Sequence, residues 1–153
     1  MREYAAIGLH SPKTPENIGS ALRAAGCYGA ALVVLGGERP KRLKSLGRIC
    51  TDTSRYYRHA PFVLVDDLRD AIPYDCVPVA VDLLEGARSL FDYVHPERAY
   101  YVFGPEDGTL GKSVTGWCRD TIYVPTTGCM NLAACVNVVL YDRAAKRRTL
   151  CNG

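Results

Sequence analysis

Three short stretches combine side chains of the kind that hold or transform a ligand. The first, HSPKTPENIGSALRAAGCYG at residues 10–29, carries Asn17, Gly19 and Arg23 where a helix opens. Asparagine is a favourable N-cap type, and Gly19 admits close backbone approach. Arg23, four residues after Gly19, lies on the same helical face. Such a set suits an anionic or hydroxylated ligand at a helix N-terminus. A capped helix with a solvated arginine is the plain alternative. A dinucleotide fingerprint is absent, because the segment has no Gly-x-Gly-x-x-Gly. The second stretch, YVFGPEDGTL at residues 101–110, is an apolar run that stops at Gly104-Pro105 and two carboxylates, Glu106 and Asp107. The third, YVPTTGCMNLAACVNVVLYD at residues 123–142, ends a strand at Pro125 and opens a helix near Asn131. Taken singly, each of these also reads as ordinary turn chemistry.

The elements that must position these loops alternate along the chain. Ala5–Leu9, Ala31–Leu35, Phe62–Val65, Val77–Val81, Tyr100–Phe103 and Thr121–Val124 read as short apolar strands. Asn17–Ala25, Pro40–Leu46, Asp66–Ala71, Leu110–Trp117 and Asn131–Arg148 read as helices. This alternation predicts an α/β fold with a mostly parallel sheet and helices on both faces. In such sheets ligands bind where strands end in Gly-containing turns. The apolar face of the last helix, with Val136, Val139 and Leu140, must pack on the sheet or on a second subunit.

Composition narrows the class. The 153 residues suit one domain, 1–153, with 48% hydrophobic and 23% charged residues. No apolar run approaches the ~20 residues that span a bilayer, and the N-terminus reads as a first strand, not a signal peptide. Seven scattered cysteines without a Cys-x-x-Cys pair, and three isolated histidines, argue against a metal site and for a reduced, cytoplasmic compartment. The net charge of +3 permits an anionic partner without demanding one.

In order along the chain, the three stretches resemble the motifs of the SPOUT RNA methyltransferases, in the SpoU (TrmH) branch. The matching residues are Asn17/Gly19/Arg23, Phe103/Gly104/Pro105/Glu106, and Pro125 through Asp142. The resemblance covers nearly the whole chain. Its short length resembles the minimal members that methylate the tRNA wobble nucleotide. There are two departures: Cys129 stands where family members usually carry serine, a thiol being a weaker hydrogen-bond donor than a hydroxyl, and the loop from Pro125 to Cys129 is shorter than usual.

The resemblance implies a parallel α/β sheet with a C-terminal deep trefoil knot. It also implies S-adenosylmethionine as cofactor, and a homodimer whose active sites use both subunits. It makes Arg23, Asn17, Glu106 and Asn131 the catalytic set. Arg23 orients RNA phosphate and stabilises developing negative charge, since a guanidinium stays protonated. Asn17 holds Arg23 or the ribose, Glu106 orients the arginine and loop amides, and Asn131 caps the last helix. Candidate cofactor contacts are Ala80, Val81, Phe103, Gly104, Ile122, Val124, Met130 and Leu132, at strand ends and at the start of the last helix.

The segment ERPKRLKSLGR at residues 38–48 holds five basic side chains and one acid, and SRYYRH follows at 54–59. Lys41, Arg42, Lys44, Arg48 and Arg55 suit phosphate contacts, and Tyr56 suits stacking on a splayed base. A solvated basic helix beside core tyrosines is the alternative. The function expected is ribose 2′-O-methylation of tRNA. Methylation of ribosomal RNA, or a non-catalytic RNA- or SAM-binding protein, remains open at this level.

Overall fold

The computed structural model describes residues 3–39 and 61–151. Among the described residues, seven strands form one sheet: β1 (Tyr4–His10), β2 (Leu32–Gly36), β3 (Phe62–Leu64), β4 (Val77–Val81), β5 (Arg88–Ser89), β6 (Arg98–Phe103) and β7 (Asp120–Tyr123). Their spatial order is β3-β2-β1-β6-β4-β7-β5, and every pairing is parallel. Because all strands run the same way, the turns after β1, β2, β4, β6 and β7 gather at one edge. The chain leaves β1 in one direction to build β2 and β3, then builds β6 on the other side of β1. Reversals of this kind open a crevice at the strand ends.

Both sheet faces are covered, which is why the strands are apolar at consecutive positions. Ile7, Leu9, Val33, Val79, Val81, Tyr101, Phe103 and Ile122 pack on one side with two long helices, α1 (Pro15–Tyr28) and a C-terminal helix at Leu132–Cys151. Their strand neighbours Ala6, Val34, Ala80, Tyr100 and Val102 turn to the other side. That side is closed by a 3-10 turn at Leu68–Ala71 and by the short helix α2 (Lys112–Thr115). The C-terminal helix is therefore α3. None of the described helices is long and apolar enough to cross a membrane.

Helix α1 begins earlier than its asparagine suggests. Thr14 is the N-cap, its hydroxyl accepting from the Asn17 amide at 3.4 Å, and Pro15 and Glu16 open the first turn. Threonine, proline and an acid in these places are all favourable. Asn17 is thus inside the helix, and its side chain is free for other work. The helix stops at Gly29, which is left-handed at φ 67° and donates back to Ala25 and Gly26. Other expected elements shift as well. Asp66–Ala71 is a 3-10 turn capped by Asp67, and Leu110–Trp117 shortens to α2. The two-residue β5 has no apolar run to announce it. Pro40–Leu46 lies outside the described residues. In α3, Val136, Val139 and Leu140 are almost fully buried against the sheet and α1 of the same chain. That apolar face is used within the chain and is not left for a second subunit.

A buried polar cluster fastens the far half of α3. His95, 5% exposed, meets the Tyr101 hydroxyl through Nδ1 at 2.7 Å and the Asp142 carboxylate through Nε2 at 2.8 Å. A carboxylate only accepts, so Nε2 carries the proton and Nδ1 accepts from the tyrosine. Lys146 binds Asp142 at 2.8 Å and donates to the carbonyls of Leu90 and Tyr93. Arg143 donates to the carbonyls of Pro96 and Glu97, both at 2.7 Å. Burial lowers the His95 pKa; Lys146 and Arg143 act in the same direction, and Asp142 opposes them. The neutral imidazole therefore contributes stability that is fully present above its unfolded pKa of about 6.5 and is lost as pH falls through the lower folded value. Chemical denaturation at pH 8 and pH 5 is expected to show a lower midpoint at pH 5. In His95→Gln the difference between the two midpoints shrinks. An unchanged difference removes His95 as its source.

Candidate functional site

The gathered turns meet in a chain of hydrogen bonds that runs one way. Glu106, after β6, accepts the Lys13 amide at 2.8 Å through one oxygen and the Asn17 side-chain amide at 2.6 Å through the other. The Asn17 side-chain oxygen accepts from Asn131 Nδ2 at 2.9 Å. Asn131 in turn caps α3, its oxygen accepting the amides of Ala133 and Ala134 at 2.9 and 3.2 Å. The backbone amides can only donate and the carboxylate can only accept, so the orientation of both asparagines is fixed. The relay carries the positive end of α3 towards Glu106. All three stretches singled out in the sequence contribute to it.

Two further carboxylates hold the turns around this relay. Asp82, after β4, accepts the Leu83 amide at 2.8 Å and, across to the β6 turn, the Leu110 amide at 2.6 Å. A side chain at Gly104 would put its Cβ 3.3 Å from that carboxylate, so glycine leaves the room the crossing needs. Asp107 takes Arg39 fork to fork, at 2.7 and 3.0 Å. Arg39 also reaches the Ser11 carbonyl at 3.4 Å, which ties the turns after β1, β2 and β6 together. The hydrogen bonds from Arg39 hold the Asp107 carboxyl below its ordinary pKa.

Beside the relay lies a cavity of about 570 Å³, walled by the turns after β4, β6 and β7 and by the first turn of α3. That volume is in the range of small-molecule and cofactor sites. Val81, Phe103, Gly104, Val124, Met130 and Leu132 line it, as does Glu106. Ala80 and Ile122, also expected there, do not. Strand alternation turns Ala80 to the opposite face and places Ile122 in the core beneath the two long helices. Asp82 and Cys135 line the cavity without having been expected. Their signal was position alone: Asp82 follows a strand end, and Cys135 is one turn into α3. Burial, reinforced by Asp82, pushes the Cys135 thiol up to about 12, so it is a neutral wall and not a nucleophile.

Arg23 stands apart from this assembly. It is exposed on α1, makes no hydrogen bond or ion pair with a described residue, and does not line the cavity. Six residues beyond Asn17, it is displaced about 9 Å along the axis and points to another side of the helix. Asn17 and Glu106 bind each other and not the arginine, contrary to expectation. The basic set Lys41, Arg42, Lys44, Arg48 and Arg55, with the stacking candidate Tyr56, lies outside the described residues.

Residues 4–141 match the SpoU rRNA Methylase family. No curated protein sequence matches the chain. Among solved structures, the SpoU methyltransferase AviRb from Streptomyces viridochromogenes superposes with a TM-score of 0.80 at 22% identity, over 97% of this chain and 62% of that one. A structure of an RNA 2′-O ribose methyltransferase gives 0.82 at 16% identity, over 97% and 58%. A third, concerned with 2-OH methylation of C/U34 on tRNA, gives 0.79 at 24% identity, over 96% and 98%. The present chain thus spans under two thirds of the first two and nearly all of the third. At these identities the likeness is one of fold.

Proposed function

We propose that this chain, which belongs to the SpoU rRNA Methylase family, is an S-adenosylmethionine-dependent RNA methyltransferase that acts on the ribose 2′-hydroxyl of tRNA, at the wobble nucleotide. The observation that carries the proposal is the relay of Glu106, Asn17 and Asn131 at the rim of the cavity, since it joins all three motif loops at the ligand-binding edge of the sheet. The structure concerned with C/U34 on tRNA is also the compared one that this chain spans almost completely, which favours tRNA over ribosomal RNA.

The cavity fits the cofactor in character. Its walls are largely apolar, and its charged lining residues are two acids, Asp82 and Glu106, suited to a cationic ligand. When bound, the cofactor supplies an electrophilic methyl group. Glu106 is engaged through both oxygens and positions the turns; it is not the base. Arg23 lies outside the cavity of its own chain, so this reading requires a homodimer in which Arg23 of one subunit serves the cavity of the other. There its guanidinium orients the RNA phosphate and stabilises the oxyanion forming at the ribose. The knotted C-terminal segment and a cytoplasmic location belong to the same reading.

The test is transfer of labelled methyl from S-adenosylmethionine to tRNA and to ribosomal RNA, followed by mapping of the 2′-O-methylated nucleotide. Label confined to ribosomal RNA, or to a base, rejects the proposal. RNA docking has its own check. Replacing Lys41, Arg42 and Lys44 together by alanine is expected to weaken tRNA binding by about tenfold or more at low salt and to flatten its salt dependence, since fewer counterions are released. Equal salt slopes in wild type and variant place the RNA elsewhere.

A further inference from the structure

The cavity is charged in a one-sided way. Among the described residues, its lining includes the carboxylates of Asp82 and Glu106 and no lysine, arginine or histidine. Glu106 turns both oxygens into the relay. Asp82 accepts two backbone amides and has no ion-pair partner among the described residues, so its negative charge is oriented but not neutralised. Apolar neighbours such as Val81, Phe103 and Leu132 keep the local dielectric low and lengthen the reach of that charge. Cys135 of α3 lines the same cavity, and the Asp82 charge adds to burial in raising its thiol pKa.

We infer that Asp82 ranks the cavity's ligands by charge, so that the sulfonium cofactor is held in preference to the neutral thioether left once its methyl has gone. The inference rests on the cavity being the cofactor site. The two ligands share the adenosine and amino-acid ends and differ by the methyl and by one positive charge, at sulfur. A fixed carboxylate acts on that difference, whereas the apolar walls act on both ligands nearly alike. Asp82 then favours departure of the product without touching the RNA, and serves as a residue of specificity between the two states of the cofactor.

The experiment is calorimetric titration of the full chain and of Asp82→Asn with three probes. They are S-adenosylmethionine, S-adenosylhomocysteine, and an amine analogue that carries an ammonium in place of the sulfonium. The substitution is expected to weaken both cationic probes about fivefold relative to the neutral one, as loss of one charge at partial screening predicts. Equal weakening of all three makes Asp82 a pin of the wall only and overturns the inference. So does an unchanged ratio. Should the variant not fold, the wild-type ratio across a salt series decides. A cationic preference that declines with salt supports the field, and a flat ratio overturns it. A wild-type chain that binds none of the probes fails at the cofactor reading itself, a result distinct from binding without charge preference.

Discussion

Arg23→Ala loses methyl transfer by about a thousandfold while its affinity for S-adenosylmethionine stays within about twofold, because a group stabilising developing charge acts in the transition state and not on the bound cofactor. The guanidinium is exposed, unpartnered among the described residues and outside the cavity. Its removal therefore leaves the packing of α1 intact. On the proposed reading, that placement has Arg23 of one chain serving the cavity of the other. Mixing Arg23→Ala with Glu106→Gln tests this directly. In a mixed dimer, the site with intact Glu106 receives the intact arginine of the other subunit, while the second site lacks both. Random reassortment of a twofold dimer then restores about a quarter of wild-type activity. Restoration absent from a mixture shown to exchange subunits rejects the shared site, as does a fully active monomer.

Glu106→Gln has the second large effect, and its reason is polarity more than charge. The substituted amide group cannot both accept from Lys13 and accept from Asn17. Turned to accept from the Lys13 amide, it presents its own N–H to the Asn17 Nδ2, where two donors meet. Flipping Asn17 only moves the conflict to Asn131, whose orientation is held by the α3 amides. The defect has no relief within the relay. Loss of a charge-assisted bond with an unsatisfied neighbour lowers stability by about 2 kcal/mol. Misplacement of the motif turns reduces kcat by about a hundredfold. Asn17→Asp added to the variant supplies an acceptor both for the substituted amide and for Asn131, and the melting temperature is expected to recover most of its loss. A double variant no more stable than the additive sum rejects the relay as drawn.

Much of this is readable from residue order. Five of the six expected strands fall within two residues of those observed at each end, and the sixth, Val77–Val81, coincides, because buried parallel strands are continuous apolar runs bounded by turns. The three loops are readable as polar interruptions at strand ends. Their joining is not. Asn17 finds Glu106 across 89 residues and Asn131 across 114, and nothing local marks such partners. Asn17 resembles a cap in type, although Thr14-Pro15-Glu16 just before it carries the stronger capping pattern. Proximity to strand ends points to Ala80 and Ile122, yet the pleat, with its period of two, turns Ala80 to the other face, and Ile122 is covered by core side chains on the face it shares with Val81. The same pleat admits Val81 and excludes Ala80.

The position of β1 in the sheet sets the order in which this protein can be completed. The first of the described strands to be made is a central one, with β2 on one side and β6 on the other, and its pairing with β6 joins Tyr4 to Arg98. On the ribosome, β1 and β2 can meet early, but one edge of β1 stays open until nearly a hundred more residues have emerged. The rim of the cavity closes later still, because the cap of α3 is its last member to be synthesised. Such a molecule spends its youth with an exposed apolar strand edge, the condition that draws chaperones and invites mispairing. Its slow step is the return of a distant strand to a waiting one, as expected for a topology dominated by long-range pairings.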